Sequence, residues 1–127
     1  MKRGWLYWLL LAIAAITLFS GCVQILWPAP ILDLLAASQS PAALHFFGLV
    51  GMFMALFGGA LLHAMLAAQP SPVTVLWAGL QKFAAVAGVG IGVAHGIFAP
   101  MALAVTVFDF VSGVLIFAYW WGMRAWW

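Results

Sequence analysis

The sequence predicts an all-α protein, a membrane-spanning four-helix bundle with both termini cytoplasmic, and three observations predict it. The chain of 127 residues is 69% hydrophobic and 5% charged. A soluble domain carries about a quarter charged residues, so this chain cannot cover itself with a polar surface. Its apolar residues fall into four runs, each close to the roughly 20 residues that cross a bilayer. Its four cations are placed unevenly: Lys2 and Arg3 precede the first run, Arg124 follows the fourth, and the connections hold neither Lys nor Arg. The positive-inside rule then puts both ends in the cytoplasm, which needs an even number of spans. Trp5, Trp8, Trp77, Trp120, Trp121, Trp126 and Trp127 would gather at the cytoplasmic interface and Trp27 at the outer one, where amphipathic rings prefer to sit.

Helices are expected at about 5–27, 42–67, 73–95 and 100–121, filling residues 1–127 as a single integral membrane domain. The first run follows Met1-Lys2-Arg3 and contains Phe19-Ser20-Gly21-Cys22. That pattern admits a second reading, a lipoprotein signal cleaved before Cys22. The apolar stretch continues to Trp27, longer than a signal core, and favours an uncleaved span. With only one cysteine there is no internal disulfide framework.

Pro28 and Pro30 end this helix, and Ile31-Leu32-Asp33-Leu34-Leu35 reads as a short amphipathic turn in the interface. Ser40 can cap the second span, with Pro41 at its first position. This span holds Gly51, Ala55 and Gly59 at four-residue spacing, with His63 next in the row. Small residues so spaced let another backbone approach closely, and His63 could add a hydrogen bond between helices. Gln69-Pro70-Ser71-Pro72 makes an uncharged turn. The third span carries Ala84, Gly88, Gly92 and Gly96, a second ladder expected to mark a packed seam. Pro100 opens the fourth span, where Asp109, Gly113 and Ser112 lie close on one face.

Two of the six charged residues, Lys82 and Asp109, fall inside spans. A charge in lipid is expensive, so each normally has a partner or a task. Three readings stand: an intramembrane ion pair that fixes helix register, a lysine that snorkels to the cytoplasmic headgroups, and a transport or catalytic site. Asp109 lies about five residues from the depth of Lys82, roughly 7 Å along a helix. The two side chains lean toward opposite ends, because their helices are antiparallel. His45 and His95 share the outer depth with Gln24 and Asp33, and are the pair of residues that could ligate haem iron or another metal. No nucleophile arrangement, phosphate loop or carboxylate pair is present in the sequence, so neither an enzyme nor a bound cofactor or metal is expected. The net charge of +2 rests on too few residues to suggest nucleic acid.

The order of motifs is familiar. A first helix ends in Trp-Pro-Ala-Pro-Ile-Leu-Asp-Leu-Leu (27–35), and a glycine-rich helix begins Phe46-Phe47-Gly48-Leu49-Val50-Gly51. A third carries Leu80-Gln81-Lys82-Phe83, and a fourth Phe108-Asp109-Phe110 ahead of an aromatic end. This resembles the small four-helix bacterial membrane proteins of the DoxX-like kind. The resemblance implies the same fold and a multi-pass place in the bacterial inner membrane. A few members of that group are linked to quinone or thiol redox complexes, but none of this implies an agreed active site.

From the residues alone, the leading expectation is a non-enzymatic membrane protein acting as an accessory or assembly subunit of a larger complex. Its partners would be the lipid bilayer and other membrane subunits or further copies of itself. A small transporter or channel using Lys82 and Asp109, and a haem- or quinone-associated redox subunit, are the alternatives.

Overall fold

Prolines and serines set the frame of this chain. In the computed structural model, which describes residues 3–124, each long helix after the first begins at a proline. Proline costs nothing in a first turn, where the missing N–H would have no partner. The first helix, α1, spans Trp5–Leu26. Pro28 and Pro30 then do more than end it: they occupy the first turn of a separate short helix, α2, Pro28–Leu34. The third, α3, spans Pro41–Leu66, and Ser40 Oγ accepts from Ala43 N at 3.1 Å, the cap the sequence predicts. The fourth, α4, spans Pro72–Ala94 and repeats the device, with Ser71 Oγ accepting from Thr74 N at 3.3 Å. A 3₁₀ turn, Pro100–Ala102, leads into α5, Leu103–Met123.

Among the described residues four helices, counting the last from Pro100, are long and apolar enough to cross a membrane. The chain is therefore a multi-pass integral membrane protein, all-helical among its described residues. Arg3, Met65, Gln69 and Met123 line one cavity, so both described chain ends and the turn between α3 and α4 share one end of the bundle. At the other end α2 lies between α1 and α3, and Ala99 N donates to Leu35 O at 2.8 Å, stitching the last connection to the first. Lys2, Trp126 and Trp127 lie outside the described residues.

The spans pack as two pairs, α1 with α3 and α4 with α5; contacts of α1 with α5 and of α3 with α4 are sparser. Three glycines explain the first pair. A methyl group on Gly21 would lie 2.5 Å from Ala55 N and 2.6 Å from Gly51 O, and one on Gly58 would lie 2.5 Å from Leu18 N. The backbones are as close as glycine permits, which is how helices gain packing contacts in lipid, where burial from water no longer drives them together. Tyr7 donates to Met65 O at 2.9 Å at one end of this seam, and Gln24 Nε2 donates to Phe47 O at 2.8 Å near the other. The second pair is closed by Gly79 against Ile116 and by Gly113 against Phe83 and the Lys82 stem. A core of Leu10, Ile13, Ala14, Leu61, Met65, Val75, Ala78 and Ile116 joins the pairs.

Two details differ from the ladders the sequence suggests. In α3 the row runs through Gly51, Ala55 and Gly58, and Gly59 sits beside it, meeting only Leu18 Cδ1 at 3.8 Å. In α4 the row Ala84, Gly88, Gly92, Gly96 makes no helix–helix seam among the described residues. Ala84 and Gly88 are exposed, and a methyl group on Gly88 would meet nothing within 4 Å. Gly92 sits beneath the ring of Phe98, and Gly96 (φ +72°) ends the helix. There Ile97 N donates to Gly92 O at 2.8 Å and Gly96 N to Val93 O at 3.0 Å, the pattern of a left-handed helix stop that glycine makes without strain. His63 is exposed rather than turned to a neighbouring helix.

Candidate functional site

The site is assembled from three spans at mid-height. Lys82 lies ten residues beyond Pro72 in α4, and Thr17 twelve beyond Trp5 in α1. Both helices start from the same end of the bundle, so the two residues stand roughly 15 and 18 Å above it at 1.5 Å per residue. Asp109, fourteen residues before Met123 in α5, stands higher, at roughly 21 Å. The lysine stem bridges that offset despite the opposed lean of the two side chains. Its Nζ donates to Asp109 Oδ1 at 3.2 Å and to Thr17 Oγ1 at 2.7 Å. The ammonium also lies 5.3 Å from the centre of the Phe108 ring, whose face attracts cations.

These groups are buried within the bundle: Lys82 is 3% exposed, Thr17 3% and Asp109 8%. Such burial decides between two of the sequence-level readings. A snorkelling lysine would carry its amine to the headgroups, whereas here the amine ends on two side-chain oxygens inside the protein. The energies rank the contacts. Stranding one member of a buried pair costs about 3–5 kcal/mol. A side-chain hydrogen bond between membrane helices contributes about 0.6 kcal/mol on average and at most about 1.7. Asp109 is therefore the principal partner of Lys82, and Thr17 the lesser one.

Thr17 carries no signal in a motif search. Matching depths from the shared end of α1 and α4 is what would have found it. Ser112 and Gly113, which the sequence places on the face of Asp109, are buried with it. Gly113 lets α5 approach the Lys82 stem, with a methyl group at that position only 3.3 Å from Lys82 Cβ.

A cavity of about 510 Å³ opens beside the pair, between α1 and the first half of α5, with Ile31 of α2 at its edge. Lys82, Asp109, Thr17 and Gln24 supply polar walls, and Ile16, Phe19, Val105 and Phe108 supply apolar ones.

The other candidates stand apart. His45 is exposed at the start of α3, its ring edge-on to Phe46 at 5.9 Å, and His95 is the exposed residue that closes α4. No set of three His, Cys, Asp or Glu side chains comes together among the described residues. Cys22 is exposed on α1. Asp33 accepts from Gln39 Nε2 in the connection after α2, and Gln39 Nε2 also reaches Ala29 O at 3.3 Å.

No protein-family model matches the chain, and neither a curated protein nor a solved structure matches it.

Proposed function

We propose that this protein is a non-enzymatic accessory or assembly subunit of a larger membrane complex, with both ends in the cytoplasm and of the DoxX-like kind. One observation carries the reading. The α4 face bearing Ala84 and Gly88 is exposed within this chain. A helix with no close-packing need at a position gains about 0.8–1.0 kcal/mol from alanine over glycine, so Gly88 suits a contact the single chain does not make. Small residues on an outward face let a neighbouring transmembrane helix approach closely. The charged pair, by contrast, is satisfied within the bundle, as a register-fixing element requires. The DoxX-like kinship and the bacterial inner-membrane address rest on the order of the sequence motifs alone.

The test compares the wild-type protein with one variant, both purified from native membranes in mild detergent. Gly88→Leu leaves the monomer's thermal stability unchanged or slightly raised and shifts the protein from a larger assembly to a monomer. A wild-type protein that runs as a monodisperse monomer without partners rules the subunit reading out.

A second reading has its own observation, since Lys82 and Asp109 line a cavity at mid-span. A small carrier would use them as a polar step, and Asp109→Asn would then abolish flux in liposomes while the fold persists. Loss of folding in step with flux supports the structural pair instead.

A further inference from the structure

We propose that the cavity between α1 and α5 is a binding site for a neutral, membrane-soluble amphipath whose head is a single hydroxyl group, a long-chain alcohol in chemical class. The volume of about 510 Å³ falls within the range of small-molecule sites, about 300–1,000 Å³. Its mouth is made by residues that stay exposed on the spans: Phe19 is 71% exposed and Val105 44%. In a membrane protein these face acyl chains, so the ligand enters sideways from the bilayer. The walls near the mouth are apolar and suit a hydrocarbon tail.

The head group follows from what the polar wall leaves unused. A lysine ammonium has three N–H donors, and Lys82 directs two of them to Thr17 and Asp109. The Asp109 carboxylate accepts from Lys82 through Oδ1, which leaves Oδ2 as a further acceptor on a residue that lines the cavity. The Lys82–Asp109 pair therefore offers one donor and one acceptor side by side, with a net charge of zero, and Ser20 and Gln24 line the wall beyond it. An anionic head would stand against Asp109 and a cationic one against Lys82, each a like-charge contact in a poorly screened place. A pure hydrocarbon would leave the third N–H of Lys82 and Oδ2 of Asp109 unused. A hydroxyl accepts from Lys82 and donates to Asp109 at once, through a single oxygen. This site does not depend on a partner subunit, and stands whether or not α4 docks one.

The experiment uses the full-length protein in nanodiscs of phosphatidylcholine and three photoactivatable probes of equal chain length. These are a long-chain alcohol with a diazirine near its hydroxyl, the matching methyl ether and the matching carboxylate. The alcohol labels α1 and α5 around Phe19 and Val105 saturably, and excess unlabelled alcohol removes the labelling. The ether, which accepts but cannot donate, labels at least about tenfold less at the same concentration, the loss expected for one hydrogen bond to a charged group. The carboxylate labels less than the alcohol as well. Val105→Trp fills the mouth and abolishes saturable labelling, and Ala104→Trp serves the same purpose should the first variant fold poorly. Equal labelling by all three probes, or labelling that survives a filled mouth in a folded variant, overturns the proposal.

Discussion

At the scale of single residues, the decisive feature is how the Lys82 ammonium divides its hydrogen bonds. It holds Asp109 on its own helix pair and Thr17 on the other. Thr17→Val keeps the shape and removes only the hydroxyl, so it lowers stability by about 0.6–1.7 kcal/mol, measured by reversible unfolding in mixed detergent. A loss as large as that from removing Asp109 would mean that Thr17 is no lesser partner than Asp109. The two charges were legible in the sequence because charge is rare in an apolar span. Thr17 was not, because a threonine is unremarkable in a membrane helix until its depth is compared with that of a charge on another span. The direction in which Lys82 would extend was also illegible, since side-chain lean argued against the pair and stem length argued for it.

At the scale of elements, the glycines divide by what faces them. Gly21 and Gly58 lie against backbone, where a neighbour cannot give way. Overpacking of this kind costs about 1–3 kcal/mol or more. Gly58→Leu therefore separates α1 from α3 and destabilises the bundle strongly, while Gly88→Leu leaves the isolated chain's unfolding midpoint unchanged or raised. Comparable loss in both would place α4 differently from the structure. Spacing made the α3 row visible, and its register is off by one at Gly58 because only one face of a glycine pair meets α1. Spacing misled at α4. A four-residue interval says that one stripe is small, but not whether anything covers it, and Gly92 and Gly96 answer instead to Phe98 and to the helix stop. The Ser-Pro pairs at 40–41 and 71–72 were the most legible local signals, because cap and first-turn chemistry act within three residues.

At the scale of the molecule, the two helix pairs and their alternation follow from four apolar runs with short connections. The proposed orientation has a direct check: a reporter active only in the cytoplasm is active when fused after residue 127 or within 67–71, and silent within 35–40. The reverse pattern contradicts the positive-inside assignment. What joins the pairs is partly the apolar core and partly Lys82, which sits on one pair and reaches into the other. The most direct measurement of that account is a cycle of Lys82→Met, Asp109→Leu and the double variant, with unfolding free energies taken in the same detergent. Each single substitution strands a buried partner and lowers stability by about 3–5 kcal/mol, and the double variant recovers most of that loss. Single variants that unfold like the wild type, or losses that simply add in the double variant, would contradict a register-fixing pair at the centre of the bundle.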